Sequence, residues 1–319
     1  WGALRAQMGH PAPFGLKLLG AGNEQWNTSC VDFTERAGLF EKEIHAVYPE
    51  IRIVGSAGPM VESPVTAEAW EYYRAGQAQK IRARAAAQQP SGVSDFAYAV
   101  DEHYYVAPEW LYDHVTMYDG YPREVGVFAG EYAAHTAEKE NTMEAALAEA
   151  AFLAGVEKNG DVVKLASYAP LFNRVGHSQW KPDLIWFDDR DVYLTPSYYV
   201  QMLYAQNAGD AVLDPGGQDK ELRDEKLYVN MTGKYDAAGA LKEIILKAAN
   251  ADTVPAELEI SLPETVQPEG SIRIITLAGS GEKPEGMPEK AVLTEESGSA
   301  LNPVTVPAGS FCVLRIPLK

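Results

Sequence analysis

From residue 16 to residue 206, short apolar runs alternate with stretches of helical periodicity, and this happens five times. The strand-like runs are Leu16–Ala21, Ile51–Ser56, Phe96–Val100, Val125–Ala129 and Val162–Ala166. The helical stretches are Asp32–Tyr48, Ala67–Ala87, Pro108–Met117, Thr142–Val156 and Pro196–Gln206. In the first of these, Phe33, Phe40, Ile44 and Val47 fall on one face. Such alternation predicts a parallel sheet with crossover helices. An open doubly wound sheet can hold five strands, whereas a closed barrel needs eight.

From about residue 210 the pattern changes. Lys226–Met231, Glu243–Lys247, Glu257–Leu262, Ser271–Leu277 and Ser310–Pro317 are short strand runs separated by Pro and Gly clusters. They predict an antiparallel β-sandwich appended to an α/β domain, with residues 1–209 in the first and 210–319 in the second.

Composition narrows the partners. The 319 residues are 46% hydrophobic, enough for a sizeable core, and no run is long enough to span a bilayer. Lys and Arg number 27 against 45 Asp and Glu, a net charge of -18 that repels phosphate backbones. Nucleic acid and membrane are therefore not expected partners, while a neutral ligand such as a sugar meets no penalty. The two cysteines, Cys30 and Cys312, are expected to be buried free thiols.

Two glutamates stand at the ends of predicted strands. Glu24 follows Leu18-Leu-Gly-Ala-Gly-Asn23, and Glu131 follows Val125-Gly-Val-Phe-Ala-Gly130. Carboxylates at the C-terminal ends of separate parallel strands are what a retaining glycosidase needs, one to protonate a leaving oxygen and one to attack the anomeric carbon. Asn23 and Trp26 flank Glu24 and offer a hydroxyl contact and an aromatic surface. The plainer reading of Glu24 is a solvated loop residue, and of Glu131 a structural ion pair. In Asp101-Glu-His-Tyr-Tyr105, His103 and Tyr105 alternate along an extended segment, so Tyr105 can donate to a nucleophile and His103 can orient a neighbour or contact sugar. A metal held by Asp101, Glu102 and His103 is a poor alternative, because only one histidine is at hand. Asp188-Asp-Arg-Asp191 reads first as a solvated turn, with a substrate-loop role as the sharper alternative, and Leu19-Gly-Ala-Gly22 lacks the third glycine and the helix of a dinucleotide loop.

The block Gly22-Asn-Glu24-Gln-Trp26 resembles the acid/base motif of glycoside hydrolase family 51, the α-L-arabinofuranosidases, and Phe128-Ala-Gly-Glu131-Tyr resembles its nucleophile strand. Asn141 to Gly160, Val163 to Asn173, Trp186-Phe-Asp and Pro196-Ser-Tyr-Tyr-Val-Gln201 are similar to the elements that follow in that family. The resemblance implies a (β/α)8 TIM barrel of which this chain carries strands four to eight, followed by a β-sandwich. It makes Glu24 the acid/base, Asn23 its sugar-binding neighbour and Glu131 the nucleophile, and it places His103 and Tyr105 on strand six. The two carboxyl groups are then expected roughly 5 Å apart, as retention requires. No metal or cofactor is needed. Strands one to three would come from a missing N-terminal segment, travelling with this chain or present as a second chain.

The implied activity is release of terminal arabinofuranose from plant polysaccharides or oligosaccharides. Many family members are oligomers, so a homo-oligomer is a further expected partner, and a secreted or periplasmic location is favoured over a cytoplasmic one. An endo-glucanase or xylosidase on the same scaffold, and a non-catalytic carbohydrate-binding fragment, stay open as alternatives.

Overall fold

The computed structural model describes residues 1–25, 33–87, 96–298, 301 and 303–319. The chain divides into two compact units. The first comprises Trp1–Tyr104, Pro122–Gly130 and Asp161–Ala166; the second comprises Tyr105–Tyr121, Glu131–Gly160 and Ser167–Lys319.

The first unit opens with α1 (Gly2–Gln7), β1 (Leu18–Ala21), α2 (Phe33–Val47), β2 (Arg52–Ser56) and α3 (Pro64–Ala86). Three strands then run on into the second unit: β3 (Ala99–Val106), β4 (Gly126–Ala134) and β5 (Val163–Tyr168). Together they form a parallel sheet in the order β1-β2-β3-β4-β5. The strand order follows the chain order, as in a barrel wall, and among the described residues the sheet does not close. Helix α3 starts where the sequence supplies a cap, since the Ser63 hydroxyl accepts from Thr66 N at 3.2 Å and Pro64 occupies the first turn.

The face of α2 that carries Phe33, Phe40, Ile44 and Val47 is only partly covered, with Phe33 and Ile44 half-buried. Phe40 and Val47 are exposed, at 52% and 65%, while Ala37 and Glu41 are buried. Glu41 is held there by polar contacts. Glu41 Oε1 lies 2.7 Å from His45 Nδ1 and accepts from Lys80 Nζ of α3 at 2.5 Å, and His45 Nε2 donates to the Ile51 carbonyl at 2.9 Å. These bonds hold the side of α2 that carries Glu41 and His45 against α3 and the start of β2. Leu39 on the same helix, and Phe14 and Leu16 ahead of β1, are also more than half exposed. Unpaired apolar surface of this kind is what the open side of an incomplete barrel presents.

The strand boundaries differ from the sequence reading in one consistent way. β3 runs to Val106 and β4 to Ala134, past the charged and aromatic residues expected to lie beyond their ends. The charge in β3 is tolerated because Glu102, 2% exposed, accepts from Trp70 Nε1 at 2.6 Å and from the Tyr104 hydroxyl.

In the second unit, α4 (Pro108–Asp113), a 3-10 turn at Met117–Gly120 and α5 (Met143–Lys158) precede a small sheet of β6 (Phe172–Arg174), β7 (Ile185–Phe187) and β8 (Val192–Leu194). The expected helix Pro108–Met117 is thus split in two. α6 (Pro196–Gln206) follows, then β9 (Ala211–Leu213) and α7 (Asp219–Asp224). The remaining strands are β10 (Leu227–Tyr235), β11 (Leu241–Asn250), β12 (Ala256–Leu258), β13 (Ile272–Gly279), β14 (Ala291–Gly298), β15 (Val304–Val306) and β16 (Ser310–Pro317). Five of them and β9 form an antiparallel sheet in the order β14-β13-β16-β11-β10-β9, and β12 and β15 pair separately. Leu258, Val304 and Val306 of that pair share one core with Ile244, Leu246, Leu314 and Ile316, which makes the two layers of a sandwich. Cys312 is a free, buried thiol in this core, and Cys30 lies outside the described residues.

Helix α5 is Ala-rich and buried along most of its length. Gly155 lets it approach closely, since a Cβ there would sit 1.8 Å from the Val115 carbonyl oxygen. At its C-terminal end Glu157 accepts from Lys247 Nζ at 2.6 Å and from Asn230 Nδ2 at 2.7 Å. Lys247 is 1% exposed, so this pair is costly to break from either side.

Candidate active site

Glu24 sits in the turn after β1. Gly22 takes a φ of 96° and Glu24 one of 45°, in the left-handed region that costs a side-chain-bearing residue about 1–3 kcal/mol. Such strain persists where the surroundings fix it, and here His103 does so. His103 is 2% exposed, and its Nδ1 lies 2.8 Å from Glu24 Oε1 while its Nε2 lies 3.3 Å from Asp101 Oδ2. The imidazole therefore stands between two partly exposed carboxylates, on the face of β3 opposite Glu102. This alternation also excludes Asp101, Glu102 and His103 as a joint metal site, because Glu102 is engaged on the other side by Trp70 and Tyr104. Gly130 is required by the same packing, as a Cβ there would fall 1.9 Å from Asp101 Oδ1. Asn23 is exposed beside Glu24, and Trp26 lies outside the described residues.

In the second unit Glu131 is half-buried, and the Tyr105 hydroxyl donates to its Oε2 at 2.7 Å. A donor of this kind fixes the position of one carboxylate oxygen. The Tyr105 ring stacks on His135, with centroids 5.3 Å apart, and meets Trp180 edge-on at 5.5 Å. Burial, and then Lys139, push His135 down to about 4, so this imidazole is neutral at ordinary pH. The residue after Glu131 faces the other way. The buried Tyr132 hydroxyl donates to Gln201 Oε1 at 2.6 Å, which anchors the strand end on α6.

A second anchor is Glu149 of α5, which is fully buried and accepts from Ala134 N at 3.0 Å. Burial pushes its carboxyl up to about 7, against the Ala134 N–H and the Ser197 hydroxyl, which favour the charged form. The ordinary value is 4.5, so the folded protein holds a proton that the unfolded chain releases between these limits. Stability contributed by the neutral form is complete below about pH 4.5 and is lost as pH rises toward 7. The loss amounts to about 3 kcal/mol. Glu149→Gln is expected to remove this slope. Denaturation midpoints of wild type and variant, followed from pH 4 to 8, would diverge by that amount, and parallel curves would refute the assignment.

Sequence reasoning missed Glu149, His135 and Trp180. An acidic residue inside the apolar run Ala145–Val156 was a legible signal for the first. His135 and Trp180 carried none, since neither lies in a motif.

Comparison with known proteins adds lineage to this geometry. Residues 110–309 match the family described as the α-L-arabinofuranosidase C-terminal domain, and residues 1–123 match the α-L-arabinofuranosidase 1 domain. An extracellular exo-α-L-arabinofuranosidase of Streptomyces chartreusis is 39% identical over 214 residues, 67% of this chain and 23% of the relative. A probable α-L-arabinofuranosidase A of Aspergillus terreus is 30% identical over 324 residues, 98% of this chain and 45% of the relative. The arabinose-bound structure of the MgGH51 α-L-arabinofuranosidase superposes with a TM-score of 0.77 at 26% identity, covering 100% of this chain and 48% of that one. The chain thus spans less than half the length of each of these proteins.

Proposed function

The chain belongs to the α-L-arabinofuranosidases of glycoside hydrolase family 51, and from that premise we propose that it carries both catalytic carboxylates of a retaining, exo-acting α-L-arabinofuranosidase. Residues 1–209 contribute strands four to eight of the barrel, and residues 210–319 the β-sandwich. Glu131 attacks the anomeric carbon as Glu24 gives its proton to the leaving oxygen, and the glycosidic C–O bond breaks. Water then attacks the same carbon, Glu24 takes its proton, and the C–O bond to Glu131 breaks, freeing the carboxylate and the sugar with its original configuration restored.

The observation that carries this reading is the Tyr105 hydroxyl on Glu131, since a nucleophilic carboxylate needs a donor that fixes its orientation. His103 supports Glu24 in the same sense. It fixes one oxygen of a carboxyl that must alternate between acid and base. Asn23 and Trp26 are taken as sugar contacts. Linked arabinofuranose of plant polysaccharides or oligosaccharides is the substrate, and no metal or cofactor enters the reaction. The remaining barrel strands, on this or another chain, cover the exposed apolar residues of α2 and the β1 edge. Secretion is supported by the extracellular Streptomyces relative. Among the described residues, no helix is long and apolar enough to cross a membrane.

The test is a polypeptide with a complete barrel, assayed on aryl α-L-arabinofuranoside, β-D-xyloside and β-D-glucoside, with the first-formed anomer read by NMR. Preferential arabinofuranoside cleavage with retention is expected. Preference for either pyranoside, or an inverted first product, would overturn the reading.

A further inference from the structure

We propose that Trp180 is a stacking platform for the sugar ring from which the arabinofuranose is cleaved, an inference that rests on the arabinofuranosidase reading above. Trp180 lies in the loop between β6 and β7 and is 44% exposed, so a large part of its apolar ring is open to solvent. The exposed ring is nonetheless fixed. It meets Tyr105 edge-on at 5.5 Å and His135 at 5.8 Å, and Lys139 Nζ stands 5.2 Å from its centroid. The Ser178 hydroxyl donates to the Trp180 carbonyl at 2.7 Å, and the chain is pinned just beyond by buried Pro182, Asp183 and Leu184. Its indole N–H is a donor suited to a ligand hydroxyl.

The location gives this ring its meaning. The Tyr105 ring that Trp180 packs against is the one whose hydroxyl touches Glu131. Trp180 therefore stands one aromatic ring away from the proposed nucleophile. Its openness suits the leaving side of the bond, because the glycone of an exo-acting enzyme has to be enclosed and the remaining chain has to extend into solvent. A pyranose offers an uncharged, C–H-rich face that can cover an indole, and the neutral His135 beside the ring adds no charge. Phosphorylated ligands are disfavoured by the net charge of -18.

The experiment uses the complete-barrel protein and two substrates, α-L-arabinofuranosyl fluoride, whose leaving group has no ring, and an arabinofuranosyl-substituted xylo-oligosaccharide. Trp180→Ala is expected to lower kcat/KM on the oligosaccharide about 10- to 100-fold more than on the fluoride, mainly through KM. Trp180→Phe should keep most of the oligosaccharide activity. Trp180→Leu, which preserves apolar bulk but no flat ring, should behave like Ala and provides the comparison should the Ala variant fold poorly. Equal losses on both substrates, or a Leu variant equal to wild type on the oligosaccharide, would overturn the platform alone. Wild-type protein inert on both would overturn the arabinofuranosidase reading and the platform with it.

Discussion

Glu131→Ala in the complete-barrel protein is expected to lower kcat on an α-L-arabinofuranoside by about 10⁴-fold or more. The variant keeps the fold, since Glu131 is half-buried and its neighbours Tyr132 and Ala134 hold the strand end through Gln201 and Glu149. It loses the atom that forms the bond to the anomeric carbon, and no other donor–acceptor pair can replace a covalent step. Truncation also leaves room beside the Tyr105 hydroxyl for a small anion. Azide or formate should therefore restore part of the turnover and give a product of inverted configuration. A variant that turns over normally without added anion would remove Glu131 from the mechanism.

Glu24→Ala is expected to show a loss that depends on the leaving group. A natural sugar alcohol leaves only with a proton, so hydrolysis of an oligosaccharide should fall by about 10²–10⁴-fold. Fluoride and highly activated phenols leave without one. On those substrates the first step should survive, the ester on Glu131 should accumulate, and a burst should precede slow steady-state turnover. The limb of the pH–rate profile assigned to the acid should vanish as well. A uniform loss on all substrates would instead identify Glu24 as a structural residue, held in its strained turn by His103 for packing alone.

The parts of this molecule that were legible in its sequence are those where local pattern and burial coincide. β2 with its Ile-Arg-Ile-Val run, α6 behind its Thr195 cap and β16 fall where periodicity places them. β14 escaped notice because an exposed edge strand, Ala-Val-Leu-Thr-Glu-Glu-Ser-Gly, needs no apolar alternation and gains from charge. The three-residue strands β6, β7 and β8 are too short to show any period. The apolar face of α2 is only partly covered, and the buried Glu41 beside it, paired with Lys80 of α3, has no apolar signal in the sequence.

The site divides along the same line. Glu24, His103, Tyr105 and Glu131 stand in short motifs on or just after strand-like runs, so residue type and alternation singled them out as candidates. Trp180 and His135 acquire a role only through tertiary contact with Tyr105, about which linear spacing is silent. Glu149 belongs between these cases. One charge inside an apolar helix announces a buried partner without saying that the partner is the strand carrying Glu131.

The central claim is a covalent intermediate on Glu131, and it can be observed directly. A 2-deoxy-2-fluoro-α-L-arabinofuranosyl donor with an activated leaving group slows hydrolysis of that intermediate, so incubation should add one fluoroarabinosyl mass to the protein. Peptide mapping of the complete-barrel protein is expected to place the label on Glu131. A label on any other carboxylate, or full turnover of ordinary arabinofuranosides by protein that never acquires a label, would contradict the account.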